Sequence, residues 1–187
     1  MKKLLFSMVL VLFCINTFSQ TQEEMEAWQK NMTPGKYHEW LSTMNGEWHA
    51  KIKMWMDPTQ PATESEASTT NEMILNGLYQ RSSHSGEMMG MPFMGESITG
   101  YDIAKKEFIA TWIDNFGSSI MLMKGQLDEA TNTLVLEGDM FDPASEQTIK
   151  VKEVFKILTE DSHKFEMFMI MDGQEIKNME ILYSKKK

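Results

Sequence analysis

The sequence of 187 residues contains a single cysteine, Cys14. This cysteine lies in an apolar run, residues 4–15, that follows a short basic start and precedes small residues at positions 17 and 19. That order is typical of a secretory signal peptide, and the run is shorter than the roughly 20 apolar residues needed to cross a bilayer. We therefore expect residues 1–19 to be removed and the protein to be periplasmic or extracellular. The processed chain would have no cysteine for a disulfide.

Basic residues are also scarce. The chain has 18 lysines and arginines against 27 acidic residues, and its formal net charge is −9. Removal of two positive charges, Lys2 and Lys3, with the signal peptide changes −9 to −11. An acidic protein is repelled by phosphate backbones, so we predict no nucleic-acid partner. Beyond the N-terminal run, no apolar stretch is long enough for a membrane-spanning helix. The sequence gives no indication of the oligomeric state.

Common catalytic and cofactor motifs are missing. The chain contains neither a Gly-x-Ser-x-Gly motif nor an HExxH motif, and its glycine-rich stretch lacks the lysine of a phosphate-binding loop. The four histidines lack close metal-ligand spacing and have no predicted inward position, which disfavours both a metal and haem: His38, His49, His84 and His163. We therefore predict no catalytic residue, no metal site and no cofactor.

Two features indicate a helical N-terminal segment over residues 20–45. Acidic residues occupy the first turn after position 21, where they favour a helix N-terminus. A second helix is expected to begin with Thr33 as its N-cap and Pro34 in its first turn. Its apolar positions recur with helical spacing and should pack against the rest of the protein: Tyr37, Trp40, Leu41 and Met44.

From residue 46 onward the hydrophobic period changes from helical to alternating, which is typical of half-buried strands. The first strand ends at Asp57-Pro58. Further strands are predicted near residues 64–75, 78–86, 95–101, 107–114, 118–126, 133–140, 147–157, 163–171 and 176–184. About ten short strands joined by tight turns indicate an up-and-down antiparallel β-barrel over residues 46–187, because closure removes the exposed sheet edges. A β-sandwich is the alternative.

Several stretches of the sequence resemble one family. The motif Gly46-Glu47-Trp48 is similar to the Gly-x-Trp opening of lipocalin-like barrels. Together with "MILNGLYQ", "GEMMGMPFMGESITGYD", "TWIDNFGSSIM" and "GDMFDP", it resembles the bacterial family catalogued as domain of unknown function 1579, over roughly residues 25–184. The resemblance implies a lipocalin-like fold and no established activity, so it assigns no functional residue.

The barrel interior is the predicted binding site, because a barrel of this size can enclose one small ligand. Glu153 alternates with lysines and should point inward, and Trp112 and Asp114 share a strand face that we also expect to be inward. The single arginine, Arg81, would then face an interior carboxylate, either as a ligand anchor or as part of a structural ion pair. The alternatives to a binding protein are an enzyme that uses the interior carboxylates and an envelope protein without a ligand.

Methionine is abundant, with 19 residues in the chain. Met54, Met167 and Met169 lie on predicted strand faces where they would either fill the core or line an adaptable apolar pocket. Met91 belongs to the stretch "GEMMGMPFMG", which we interpret as an apolar barrel rim or turn, with a Cu(I) site as the less favoured alternative. The sequence therefore predicts an exported barrel that binds a small apolar or amphipathic molecule.

Overall fold

The computed structural model describes residues 21–143 and 145–187, so the predicted signal peptide lies outside the described residues. Two helices precede ten strands, with one 3₁₀ turn at Leu75–Gly77. The helices are α1 (Gln22–Asn31) and α2 (Lys36–Ser42). The strands are β1 (Gly46–Met54), β2 (Thr63–Ile74), β3 (Tyr79–Met88), β4 (Met91–Asp102), β5 (Glu107–Asp114), β6 (Met121–Asp128), β7 (Thr133–Asp142), β8 (Gln147–Thr159), β9 (Ser162–Met171) and β10 (Gln174–Lys185).

The sheet closes into a barrel in which each strand pairs antiparallel with its neighbours in sequence. Closure occurs between the first and last strands, which pair from Trp48 opposite Lys185 to Met54 opposite Met179. The predicted up-and-down barrel of about ten strands is therefore confirmed, and the sandwich alternative is wrong. Closure leaves neither a free first strand nor a free last strand, so their backbone groups are paired.

The methionine-rich stretch forms a hairpin rather than an irregular loop. β4 begins at Met91, four residues earlier than the predicted position 95. The turn consists of Met89 and Gly90, whose φ angles are 53° and 74°. Two consecutive positive φ angles are typical of the tight turns that suit the twist of a β-hairpin. The stretch therefore extends two strands to a short tip.

The second helix starts later than the sequence predicts. Thr33 is not its N-cap, because the Thr33 hydroxyl donates to the Gln29 carbonyl at the end of α1, with an O–O distance of 2.7 Å. Gly35 occupies the cap position, and its N–H donates to Nδ1 of His38 over 3.0 Å. The His38 ring therefore accepts from a backbone N–H at the start of the helix. We had expected the Thr33 side chain to accept from a backbone N–H there.

α2 covers one end of the barrel, which we call the closed end. Leu41 and Met44 are almost fully buried there, in a cluster with Phe108 of β5 and Met123 of β6. The turns after β1, β3, β5, β7 and β9 surround the opposite end, which we call the mouth. α1 buries none of its side chains.

Three interior side chains fasten the end of α2 to the barrel. The Leu41 carbonyl accepts a hydrogen bond from Nε2 of Gln80 at 2.6 Å. The Met44 carbonyl accepts from Nδ2 of Asn71 at 2.9 Å and from Nε1 of Trp48 at 2.8 Å. The last carbonyls of a helix lack partners within the helix, so these bonds satisfy groups that would be costly to bury alone.

Candidate ligand-binding site

The interior of the barrel, its lumen, has two chemically different sides. Hydroxyl and imidazole groups of β2, β3 and β4 form a polar wall on inward-facing positions, with Thr69 opposite His84 and Ser82 opposite Ser97. Its members are Ser65, Thr69, Ser82, His84, Ser97 and Thr99. Thioethers dominate a methionine wall on β1, β6, β7, β9 and β10: Met54, Met121, Met123, Met140, Met167, Met169 and Met179. The predicted inward positions of Met54, Met167 and Met169 agree with this arrangement.

Glu153 points into the lumen, between Leu136 of β7 and Met167 of β9 in the sheet. Burial raises the pKa of this carboxyl to about 7, and no described residue forms a hydrogen bond or an ion pair with it. Burial, and to a lesser degree the charge of Glu153, raises the pKa of the Tyr183 phenol. The Glu153 side chain nevertheless keeps part of its surface uncovered. It is therefore an unpartnered acid inside the barrel.

Trp112 and Asp114 also face inward, at the mouth end of β5. Nε1 of Trp112 donates to Oδ2 of Asp114 at 2.7 Å, and the Phe116 N–H donates to Oδ1 at 2.8 Å. Both carboxylate oxygens therefore stabilise the local structure of the mouth. Since Glu153 lies in the middle of β8, the structure does not join the two acids into one catalytic pair.

Gly95 makes room for the Trp112 ring. An added Cβ at Gly95 would lie 2.6 Å from two ring atoms, which is closer than side-chain carbons can approach. The ring also packs against Phe93 and against His84, with centroid distances of 6.3 Å and 5.2 Å. These contacts fix the Trp112 indole at the boundary between the polar wall and the mouth.

The predicted inward position of Arg81 is wrong. Gln80 takes the inward position and donates to the Leu41 carbonyl, so the alternation of β3 turns Arg81 outward. There the Arg81 guanidinium pairs with Glu72 of the neighbouring strand, and its side chain is 44% exposed. The arginine is therefore unable to anchor a ligand in the lumen.

We expect Arg81→Ala to change the free energy of unfolding by less than about 0.5 kcal/mol, because an exposed ion pair contributes little. Gln80→Ala is the matched comparison on the adjacent residue, and we expect it to cost about 1–1.5 kcal/mol because it removes a buried hydrogen bond to the Leu41 carbonyl. Urea denaturation would measure both variants. Equal losses for the two variants would contradict the assignment of inward and outward faces.

Met91 lies at the hairpin tip, opposite Met88, and is 50% exposed. It therefore belongs to the rim of the mouth rather than to the lumen. Met94 points to the other face of the same strand and is 61% exposed, so it does not join Met88 and Met91 at one site. In the described ranges, no three His, Asp or Glu side chains come together as a metal-binding group.

Two histidines face inward, contrary to the sequence-based expectation. Nδ1 of His84 lies 2.9 Å from the Thr69 hydroxyl, and burial lowers the pKa of His84 to about 4. The His163 ring packs between Trp48 and Tyr183, and burial lowers its pKa to about 3. The inward position of His163 could have been read from its alternation with the apolar residues of β9, whereas both faces of β3 carry polar residues and the aromatic face was chosen as the inward one.

A surface groove of about 530 Å³ lies outside the barrel, between α1, the start of α2 and Tyr101. Lys36 and Tyr37 at this groove both bond to the Glu129 carboxylate, at 2.6 Å and 2.8 Å. The Lys36 amine of this groove is thus already paired, in contrast to Glu153. None of the residues predicted to bind a ligand lines this groove.

A family model described as "Protein of unknown function (DUF1579)" matches residues 33–185. The chain belongs to this family. The resemblance read from the sequence motifs is therefore confirmed, and no curated protein matches the chain. No helix in residues 21–143 and 145–187 has both the length and the apolar character required to traverse a bilayer.

Two solved structures are similar to this chain at low sequence identity. An S-type phycobiliprotein lyase, CPES from Guillardia theta, is 11% identical with a TM-score of 0.56, covering 86% of this chain and 98% of that chain. A redesigned β-barrel is 10% identical with a TM-score of 0.42, covering 79% of this chain and 95% of that chain. The first of these structures supports the lipocalin-like fold. At 11% identity it shows the fold alone, so a function for this protein has to come from the residues that line its own lumen.

Proposed function

We propose that this protein binds one small amphipathic molecule in the lumen of its barrel and admits it through the mouth. The observation that carries the proposal is the environment of Glu153, an enclosed carboxyl that no described residue pairs and whose surface is not fully covered. A buried polar group without a partner is costly, and a ligand that contacts it would offset that cost.

Space near the mouth supports the proposal. Met54, Trp112 and Met169 lie on inward positions of a closed sheet, yet each keeps part of its surface uncovered. Inward residues near α2 differ, because Phe108 has no exposed surface and Leu134 is only 4% exposed. The inward side chains are therefore densely packed at the closed end, whereas those of Met54, Trp112 and Met169 are loosely covered, and a barrel of this size can accommodate a ligand beside them.

The rim of the mouth also suits the entry of an apolar molecule. The turns and strand ends there expose large apolar side chains: Met56, Met89, Met91, Phe116, Ile120 and Met171. Unbranched methionines adapt to different ligand shapes, and exposed apolar groups that surround an opening are typical of ligand entrances. The rim and the methionine wall together would form a continuous apolar path to Glu153.

Titration with N-phenyl-1-naphthylamine, an apolar dye whose fluorescence rises in apolar sites, would test binding. We expect saturable binding of one dye per protein, weakened by about tenfold or more in Met169→Trp because the larger ring fills the lumen. Ile170→Trp is the matched control, since the adjacent side chain faces outward, and it should bind as the original protein does. Absence of saturable binding, or equal affinities of the two folded variants, would overturn the proposal.

We also propose that the protein acts outside the cytoplasm, in the periplasm or beyond the cell. The basic start, the short apolar run and the small residues before Gln20 support this location. The N-terminal sequence of protein isolated from the periplasm or the medium is expected to begin at Gln20. A full-length chain recovered only from the cytoplasm would exclude export.

A further inference from the structure

Among the described residues, the ionisable side chains that face the mouth half of the lumen include no cation, and Lys177 of β10 pairs with Glu166 and Glu180 on the outer surface. Lysines of β1, β6, β8 and β9 alternate to the outer surface, and Arg81 pairs with Glu72 outside. Lys185, the last residue of β10, lies at the closed end with its amine 5.4 Å from the centre of the Trp48 ring. Burial keeps the pKa values of His84 and His163 low, so both imidazoles are neutral near pH 7.

Acidic groups, by contrast, occur along the whole entry path. The turns around the mouth contain Asp57, Glu146 and Asp172 and no lysine or arginine. Asp114 follows just inside the mouth, and Glu153 lies deeper. Acidic groups of one sign around an opening raise the local concentration of cations and lower that of anions.

The surroundings of Glu153 suit the rest of such a ligand. Its neighbours across the strands are apolar, Leu136 and Met167, and Met179 follows on the next strand. An ionised carboxylate in these surroundings lacks the countercharge that would compensate its desolvation. A ligand with an anionic headgroup would add a second uncompensated charge, whereas a cationic headgroup would supply the missing partner.

We infer that the ligand is a lipophilic amine, whose protonated nitrogen pairs with the Glu153 carboxylate while its apolar part lies against the methionine wall. This inference rests on the proposed binding function and names the chemical class of the ligand for the same site. It accounts for the carboxyl without a partner, the absence of lysine and arginine facing the mouth half of the lumen in the described strands, and the acidic turns at the mouth.

Three probes with the same chain length separate the headgroups: decylamine, decanol and decanoate, each measured by displacement of N-phenyl-1-naphthylamine at about pH 8. We expect decylamine to bind at least about tenfold more tightly than the other two, because only its headgroup pairs with the carboxylate. Glu153→Gln should remove that preference and leave decanol binding unchanged. Glu66→Gln, which removes an outward carboxylate of β2 beside His49, is the control and should keep the preference.

Proton release gives an independent readout at about pH 6, where Glu153 is mostly protonated before binding. An amine that binds as a cation should ionise this carboxyl and release close to one proton, measured calorimetrically in two buffers of different ionisation enthalpy. Tyr183 interacts with Glu153, and the other titratable groups on inward positions of the described strands include His84, Tyr101, Asp114, His163 and Lys185. Glu153→Gln should abolish the release, whereas release from a different group would persist in that variant.

The outcomes distinguish this inference from the proposed function. If decanol or decanoate competes as well as decylamine, or if Glu153→Gln keeps the amine preference, the amine inference is overturned and the binding barrel stands. If the dye binds and none of the three probes displaces it, the amine inference is likewise overturned. If the dye itself does not bind, the proposed function fails and the inference fails with it.

Discussion

Glu153→Gln is expected to stabilise the protein above neutral pH. The pKa of this carboxyl is about 7 in the folded chain against an ordinary value of 4.5. The folded state therefore holds the proton more tightly between those values, and the free energy of unfolding falls as pH rises through that window. Above it the loss is about 3 kcal/mol, because each unit of pKa corresponds to about 1.4 kcal/mol. Glutamine cannot ionise and avoids this loss.

Urea denaturation of both proteins at about pH 4.5 and about pH 8 would measure the difference, which should be near zero at the lower pH and largest at the higher. Using the difference between the two proteins removes the contributions of other titrating groups. Glu66→Gln should show no such trend, because its carboxylate lies on the outer surface. A constant difference between Glu153→Gln and the original protein at both pH values would contradict an enclosed, unpaired Glu153.

His163→Phe is expected to protect the protein against acid. The imidazole is almost fully buried between aromatic rings, and burial lowers its pKa from 6.5 to about 3. A histidine with a lowered pKa contributes stability above its unfolded pKa and loses it as pH falls toward its folded pKa. At about pH 4 that loss is about 3 kcal/mol, and phenylalanine does not incur it.

Phenylalanine should retain the ring contacts with Trp48 and Tyr183, whose centroids lie 4.2 Å and 4.5 Å from that of His163. The two proteins should thus have similar stability at about pH 8, while the acid unfolding midpoint of the variant should be lower. His49→Gln, which alters an outward histidine paired with Glu66, should leave the midpoint unchanged. If His163→Phe does not shift the midpoint, protonation of His163 does not drive acid unfolding.

The fold was predictable because two signals agree along most of the chain. Polar and apolar residues alternate as in half-buried strands, and the residues between these segments are those that favour tight turns. In β8, lysines fill one face and apolar residues the other, so the inward position of Glu153 could be read locally. A turn was expected within the stretch around Met89 and Gly90, but the extension of both strands to Met88 and Met91 was missed because flexible, apolar residues next to glycine resemble a loop. A tight turn with two positive φ angles is less apparent in a sequence that contains Met-Gly rather than Asn-Gly.

The polar wall was not predictable in the same way. Both faces of β3 carry polar residues, with Tyr79 and Arg81 on one and Gln80 and His84 on the other. No local periodicity separates such faces, and the choice depends on a distant partner, the Leu41 carbonyl that accepts from Gln80. The Thr33 cap failed for a related reason, since the His38 ring satisfied the helix start. Tertiary hydrogen bonds outweighed local preferences in both cases.

If the lumen binds a ligand as proposed, the hydrogen bonds that hold α2 also limit the route by which that ligand is exchanged. Trp48, Asn71 and Gln80 belong to three different strands, and all of them bind carbonyls near the end of one helix. Opening that end would break three buried bonds together, at a cost of about 1–3 kcal/mol for each group left unpaired. The barrel would therefore be closed at the α2 end and open only at the mouth. A bound ligand would leave through the mouth by which it entered, so it must dissociate before a second ligand can bind.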